Sequence, residues 1–340
     1  MMTSKERVIA QIEHEETDFI PYTLSFEGDV AERLDEYYGG SGWRDKLDLD
    51  IRHVPAVEFG VDTEAERLST DMFGTVWRVD LRPFHLEVPA LKEPSFEGYE
   101  FPPTEAFFSE GWRERALEVA AEYKDYFLVV GFGFGLFERT WCMRGFMNAL
   151  TDVVANPGFY RELVARIADS QMKIIEELLT LPVDGIMFSD DWGDQRGVIL
   201  GPDRWREVLK PHLARMYDLV HGAGKYTLSH CCGNPSDVVP DAIEIGLDVL
   251  ESVQPEAMSP YGLKKAYGEH LAFWGGLGSQ SVIPFGTPEE IHREVNRLCA
   301  EMGGGGGYIL APAKALQPET PTENAAAVVE AFLAQAGVAV

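Results

Sequence analysis

The residues best suited to chemistry lie in one short stretch, residues 229–233, which has the sequence Ser-His-Cys-Cys-Gly. The stretch follows a predicted strand at residues 225–228. Imidazole and thiolate groups are preferred ligands of zinc, and a thiolate is also a nucleophile. Side chains two positions apart at an extended strand end point the same way. The spacing therefore predicts that His230 and Cys232 bind a metal together, while Cys231 faces the opposite side.

The same stretch also has a purely structural interpretation. A histidine beside two small thiols can occupy a buried core position, since cysteine is commonly buried. A zinc site normally has three protein ligands, and the stretch supplies two. Both interpretations stay open on these residues alone.

Acidic residues follow a second predicted strand, residues 183–188. Asp190 and Asp191 lie at its end, and aligned carboxylates in a pocket can bind a cation or act as acid and base. In the alternative, one carboxylate caps the next helix and the other is solvated. The adjacent Trp192 and Gly193 favour a pocket wall over a plain surface, so we expect a functional role.

The elements that position these residues alternate regularly from about residue 120 onward. Short apolar runs predict strands at residues 126–130, 183–188, 225–228, 247–250, 271–274 and 308–310. Helical patterns lie between them, and Thr287-Pro-Glu-Glu290 and Thr320-Pro-Thr-Glu323 match the capping box with proline at the first helical position. This alternation predicts a parallel sheet buried on both faces.

We therefore expect an α/β fold, a (β/α)8 TIM barrel in one domain over residues 1–340, in preference to an open doubly wound sheet. A first strand is predicted at residues 19–24, and the irregular remainder of residues 1–120 is predicted to form a rim or cap insertion. Active groups in such barrels lie at the C-terminal ends of the strands. That rule adds further polar candidates to those above: Glu138, Arg139, Glu251, Gln254 and Lys314.

Composition limits the partners of the chain. The 340 residues include 29 basic and 56 acidic side chains, a net charge of −27, which would repel nucleic acid. Four cysteines do not form a disulfide framework. Residues 1–11 do not resemble a signal peptide, and no apolar run approaches the ~20 residues that span a membrane. We expect a cytoplasmic protein with a small-molecule substrate and neither nucleic acid nor membrane as partner.

Several motifs, in order, resemble those of the uroporphyrinogen decarboxylase superfamily. They are Asp190-Asp191-Trp192-Gly193, His221-Gly-Ala-Gly224, His230-Cys-Cys-Gly233, Trp274-Gly-Gly276, Gly307-Tyr-Ile-Leu-Ala-Pro312 and Thr320-Pro-Thr-Glu-Asn324. The resemblance covers most of residues 5–335 and is strongest from residue 180 onward. It implies a (β/α)8 barrel, in agreement with the alternation of elements.

The superfamily contains metal-free decarboxylases and cobalamin-dependent methyltransferases. The decarboxylases use an arginine-rich N-terminal motif, whereas residues 21–28 of this chain contain no arginine. The methyltransferases bind zinc through a His-x-Cys motif and a later cysteine. Residues 230–232 match the first part, but Lys314 stands where the later cysteine is expected. Because protonated lysine cannot bind zinc, a carboxylate would have to complete the site; the candidates are Glu138, Asp190 and Glu251.

The resemblance thus implies zinc-assisted methyl transfer between a small methylated substrate or thiol and a corrinoid, which a corrinoid protein would bring to the barrel mouth. One alternative is a metal-free decarboxylase or lyase that uses Lys314 with Asp190 or Asp191. Another is a non-catalytic partner of a corrinoid protein, and a homodimer also stays open. Candidate roles are catalytic for Asp190, Asp191 and Lys314, substrate-binding for Glu138, Arg139, Trp192 and Gln254, and metal-binding for His230 and Cys232.

Overall fold

A parallel sheet forms the centre of the computed structural model, which describes residues 2–339. The strands, in chain order, are β1 (Ile51–His53), β2 (Leu68–Thr70), β3 (Val76–Arg78), β4 (His85–Val88), β5 (Phe127–Phe134), β6 (Gly185–Ser189), β7 (Gly193–Asp194), β8 (Gly197–Val198), β9 (Tyr226–His230), β10 (Val249–Val253), β11 (Ala272–Leu277) and β12 (Tyr308–Pro312). Seven of them form the sheet, in the order β1-β5-β6-β9-β10-β11-β12, and all neighbours are parallel.

The α-helices alternate with these strands. They are α1 (Ser4–Ile12), α2 (Val30–Tyr38), α3 (Trp112–Glu122), α4 (Leu136–Arg144), α5 (Phe146–Ala155), α6 (Pro157–Leu178), α7 (Pro202–Val208), α8 (Lys210–Gly222), α9 (Val239–Glu244), α10 (Pro260–Tyr267), α11 (Val282–Phe285), α12 (Pro288–Glu301) and α13 (Thr322–Gln335). Short 3-10 helices occupy Ser41–Lys46, Thr104–Phe107 and Ser236–Val238.

Residues 21–26 close the sheet into a barrel. Leu310 N donates to Pro21 O at 2.9 Å on one side, and Asp50 N donates to Tyr22 O at 3.1 Å on the other. The segment pairs only through isolated bridges, because Pro21 has no N–H and Tyr22 N donates to the Asp50 carboxylate instead. The predicted first strand therefore occupies the eighth place of the ring without regular strand pairing, and the (β/α)8 barrel is confirmed.

Strand alternation divides the apolar residues between two layers. Along β5, Phe127 and Val129 belong to a cluster inside the barrel that also holds Trp274, whereas Leu128 and Val130 belong to the large cluster between strands and helices. All four strand residues are almost completely buried. Both faces of the sheet are thus packed, as the continuous apolar runs predict.

The two predicted capping boxes have different outcomes. Thr287 accepts from Glu290 N while the Glu290 side chain accepts from Thr287 N, so the box at α12 is confirmed. The box at Thr320 is wrong: α13 begins at Thr322, one residue later than the box predicts, and its N-cap is Pro321, which has no side chain that can accept. Thr320 is instead buried in the preceding turn, where its N–H donates to Gln317 O.

The irregular N-terminal region contains a small antiparallel sheet, β2-β3-β4, outside the barrel ring. Trp77 on β3 and Phe59 before β2 line a cavity that also holds His230. The segment therefore lies at the C-terminal rim of the barrel, where the cap insertion is predicted. Within residues 2–339, no helix combines the length and apolar character needed to cross a membrane.

Candidate metal centre

The ends of three adjacent strands carry the site. Ser189 of β6 is in register with His230 of β9, which is in register with Glu251 of β10. The register continues beyond the strands, because Asp190 N donates to His230 O at 3.1 Å and Cys231 N donates to Glu251 O at 2.5 Å. Residues that directly follow β6 and β9 are thereby held side by side at the barrel mouth.

Asp191, His230 and Cys232 bring three different ligand atoms together. Cys232 Sγ lies 3.3 Å from His230 Nε2, and Asp191 Oδ1 lies 3.5 Å from the same nitrogen. One ligand atom from each residue lies within 4.8 Å of the others. Cys231 is fully buried and its thiol donates to Cys232 O. The alternation predicted from the sequence is therefore present, with Cys231 turned away from the pair.

The turn after β9 depends on Gly233. Its φ is +78°, and a β-carbon there would lie 2.5 Å from Gly193 O in the loop after β6. A residue with a side chain would therefore strain the backbone and push the two loops apart. The turn also lets Cys232 N donate to Asp191 Oδ1 at 2.8 Å, which ties the two ligand-bearing loops together.

Glu251 forms a hydrogen bond with Nδ1, the ring nitrogen of His230 that does not face Asp191 and Cys232. Its carboxylate hydrogen-bonds to Nδ1, so Nε2 faces the Asp191 and Cys232 side chains. Burial lowers the pKa of His230, but the charge of Glu251, followed by hydrogen bonds with Asp191 and Cys232, raises it well above its usual value. A carboxylate on the outer nitrogen is the arrangement that orients metal-binding histidines.

This donor set fits zinc, which binds nitrogen, sulfur and carboxylate oxygen in sites with three protein ligands. The third candidate ligand is Asp191. The expectation that Glu138, Asp190 or Glu251 would complete the site is therefore wrong. Glu251 contacts Nδ1 of His230 and not the Nε2 side of the ring, where the ligand atoms meet. Glu138 is not among the residues whose ligand atoms converge. Hydrogen bonds hold the pKa of Asp191 below its usual value despite its burial.

Asp190 has a different environment from Asp191. It is 1% exposed and accepts hydrogen bonds from Phe137 N, Glu138 N and the indole of Trp192, all at 2.8–2.9 Å. Burial raises its pKa to about 6, against the effect of these donors. The prediction of an aligned carboxylate pair in the pocket is wrong, since Asp190 holds the N-terminal turn of α4 and only Asp191 lines the cleft.

Two predicted substrate-binding residues lie outside the cleft. Trp192 is 2% exposed and packs edge-to-face on Trp205, so it belongs to the core. Gln254 is also buried, and its side-chain oxygen accepts from Gly233 N at 3.3 Å. Neither side chain lines the cavity at His230. For both residues the predicted substrate contact is wrong, and Gln254 instead supports the turn that carries Cys232.

Arg139 and Glu138 do line this cavity. Arg139 is only 1% exposed: Nη1 contacts Asp71 at 3.4 Å, and its guanidinium lies over the rings of Phe59 and Phe73. Burial lowers the pKa of Arg139. Burial also raises the pKa of Glu138 to about 8, with the charges of Asp190 and Asp191 acting in the same direction. Both effects favour the protonated form of the Glu138 carboxyl.

Two adjoining cavities fill the barrel mouth. One, of about 460 Å³, lies over Asp191 and His230 and has aromatic walls. The other, of about 280 Å³, is lined by Lys314 together with Thr23 and Ser25. Lys314 is exposed, and it is not among the residues that line the cavity over Asp191 and His230. The position expected for a later cysteine therefore carries a cation in the second cavity.

Sequence reasoning missed His53, which lines both cavities at the end of β1. Burial lowers the pKa of its imidazole, against the charge of Glu251. The strand-end rule would have found His53 if β1, only three residues long, had been predicted. The contributions of Phe59, Asp71 and Trp77 had no comparable signal, because they come from the irregular insertion.

Comparison with known proteins identifies the family to which the chain belongs. The model of the family described as Uroporphyrinogen decarboxylase (URO-D) matches residues 113–334, more than half of the chain. The chain belongs to the uroporphyrinogen decarboxylase family. A uroporphyrinogen decarboxylase of Serratia proteamaculans is 27% identical over 194 residues, which are 54% of this chain and 50% of that protein.

Other similar proteins are methyltransferases. A methylcobamide:CoM methyltransferase, MtaA, of Methanosarcina barkeri is 28% identical over 133 residues, 39% of this chain and 37% of that protein. The chain thus spans about half the length, or less, of the curated relatives that it matches. The structure of a methyltransferase from Methanosarcina mazei aligns with a TM-score of 0.73 over 97% of this chain and 98% of that one, at 19% identity. This likeness establishes the fold.

Proposed function

We propose that this family member is a methyltransferase that moves a methyl group between a small substrate and a corrinoid, with zinc held by Asp191, His230 and Cys232. The observation that carries the proposal is the convergence of these three ligand atoms within 4.8 Å of one another, beside a cavity at the barrel mouth. The corrinoid would be brought by a partner protein. The similarity to methyltransferases supports the same reaction class.

The residues around the ligands have defined tasks in this proposal. Glu251 fixes the imidazole of His230 so that Nε2 faces the cleft. Cys232 N holds Asp191 Oδ1 in place, and Gly233 permits the turn that presents the thiol. Zinc, when bound, would supply a Lewis acid that polarises the sulfur or oxygen of the methylated group. Phe59 and Trp77 form apolar walls of the cavity.

A metal-free lyase is the second candidate, because Lys314 lines the adjoining cavity and could hold an anionic substrate. Two observations weigh against it. Asp190, one of its proposed acid/base groups, is enclosed by three hydrogen-bond donors. Residues 21–28 pair beside the mouth without an arginine, although the family's decarboxylases carry arginines in this region.

Metal analysis of protein purified without chelators tests the proposal. We expect about one zinc per chain in the wild type and a large loss in His230→Ala and Asp191→Asn. Cys299→Ala is the matched control, since this cysteine lies on α12 outside the site, and it should keep the wild-type zinc content. A zinc content far below one per chain in the wild type, with no change in His230→Ala, would contradict the proposal and favour the metal-free candidate.

A further inference from the structure

We propose that the two cavities form one bipartite substrate site, which takes a small molecule with an apolar, ring-bearing end beside Asp191 and His230 and one anionic group at Lys314. This inference rests on the proposed function, because it names the class of substrate that would bring its methyl group to that site. The reacting end of the molecule lies in the cavity over Asp191 and His230, called the apolar cavity below. The opposite, anionic end lies in the cavity lined by Lys314.

The cavity over the ligand residues is suited to an apolar ring. Its walls include Phe59, Val61, Trp77 and Phe134. The rings of Trp77 and Phe134 are nearly parallel, with an interplanar angle of 18° and centroids 6.3 Å apart. Phe134 is 37% exposed, so part of its ring is accessible to a ligand, although Trp77 stacks beside it and the guanidinium of Arg139 lies 5.4 Å from its centroid. Aromatic rings stack favourably in offset geometry, which selects flat apolar groups.

The second cavity is suited to an anion. Lys314 is exposed there and forms no ion pair with any residue of the described range 2–339. Thr23 accepts from the indole of Trp274 at 2.9 Å, which leaves its hydroxyl hydrogen free to donate into the cavity. The hydroxyl of Ser25 lines the same space. An ammonium group with two hydroxyls can bind a carboxylate or a similar oxyanion.

The two cavities are continuous, since His53, Met187 and Glu251 line both of them. Their volumes of about 280 and 460 Å³ are in the range of small-molecule sites. A molecule can therefore lie across these three residues with one end in each cavity.

Charge sets the direction in which such a molecule binds. Asp191 borders only the cavity over the ligand residues, whereas Glu251 lines both cavities, so the charge of Asp191 disfavours an anion at that end. Arg139 does not offset this charge for a ligand, because it is 1% exposed, contacts Asp71 and is covered by phenylalanine rings. The exposed Lys314 is thus the cation that an anionic substrate can reach, and the apolar end is left beside the metal ligands.

Binding of three probes, 3-methoxybenzoate, methoxybenzene and acetate, tests the inference. It can be followed by calorimetry and by the total tryptophan fluorescence, to which Trp77 and Trp274 in the cavity walls contribute. We expect 3-methoxybenzoate to bind at least tenfold more tightly than either other probe. The Lys314→Met variant should bind 3-methoxybenzoate no more tightly than it binds methoxybenzene. Phe134→Ala should weaken both aromatic probes about tenfold, and it should fold, since this side chain is partly exposed. Lys124→Met, an exposed lysine at the opposite end of β5, is the matched control.

Equal binding of 3-methoxybenzoate and methoxybenzene, or a preference that survives Lys314→Met, would overturn the inference. Cys232→Ser separates it from the proposed function, because Cys232 is a candidate ligand that does not line either cavity. This variant should lose zinc and still bind 3-methoxybenzoate as tightly as the wild type, within about threefold. If the wild type contains no zinc but still prefers 3-methoxybenzoate, the proposed function is refuted and the bipartite site stands. If the wild type contains zinc but shows no such preference, the bipartite site is refuted and the proposed function stands.

Discussion

The hydrogen bond between Glu251 and His230 Nδ1 gives a prediction about zinc affinity and its pH dependence. In Glu251→Gln the ring loses its charged partner, so Nε2 is less firmly oriented and less basic. Removal of such a partner typically costs about 10- to 100-fold in metal affinity. That factor corresponds to about 1.4–2.7 kcal/mol of binding free energy. We expect this loss at pH 8.5, where competition from protons is weakest.

At lower pH the same substitution has an opposing effect. The charge of Glu251 is the largest contribution that raises the pKa of His230, and a bound proton must leave before Nε2 can bind zinc. Glu251→Gln lowers this pKa, so its histidine loses the proton more readily as the pH falls. The affinity of both proteins should rise with pH, and the gap between them should be smaller at pH 6 than at pH 8.5.

Zinc affinity can be measured by competition with a chromophoric chelator at both pH values. Glu27→Gln is the matched control, because Glu27 is an exposed carboxylate in the segment after residues 21–26 and removal of its charge leaves His230 untouched. If Glu251→Gln binds zinc as tightly as Glu27→Gln at pH 8.5, the orienting role is refuted. A gap that widens toward pH 6 would refute the account of proton competition.

Four further substitutions test the surroundings of the site. Asp190→Asn should lower the free energy of unfolding by about 1–3 kcal/mol in urea titrations, since its amide cannot accept from all three buried donors; unchanged stability with lost activity would instead indicate catalysis. Cys232→Ser should lose zinc in elemental analysis, whereas Cys231→Ala should keep it. Cys231→Ala should instead lower the free energy of unfolding by roughly 1 kcal/mol in urea titrations. Equal zinc loss in both variants would contradict the assignment of Cys232 as the ligand. Gly233→Ala should cost at least about 1–2 kcal/mol for its positive φ alone and should also lower zinc content, because the loop must move away from Gly193.

Local rules predicted the part of the site that lies on one strand end. The alternation of side chains placed His230 and Cys232 together, and the strand–helix alternation gave the barrel. The same rules could not separate Asp190 from Asp191, because both follow β6 and the turn decides which one faces the cleft. Thr320 had the sequence of a capping box, but Pro321 occupies the N-cap and the threonine is buried in the turn before it.

The remaining parts of the site depend on contacts between distant positions. Arg139 and Asp71 are 68 residues apart, and nothing in the composition of the insertion indicates that pairing. Trp77 reaches the cavity only because the β2-β3-β4 sheet folds over the rim. His53 was missed for a different reason: its strand has three residues, too few to show a period.

Asp191 follows β6, His230 ends β9 and Cys232 follows β9. The proposed anion-binding end of the cleft is instead built from residues 21–26 and from Lys314, which follows β12. The proposed metal ligands and the proposed anion-binding residues therefore come from separate segments of the chain. Substitutions near Lys314 can alter which molecules are accepted without disturbing the ligands. A barrel divided in this way can acquire new substrates during evolution while it keeps one inherited reaction.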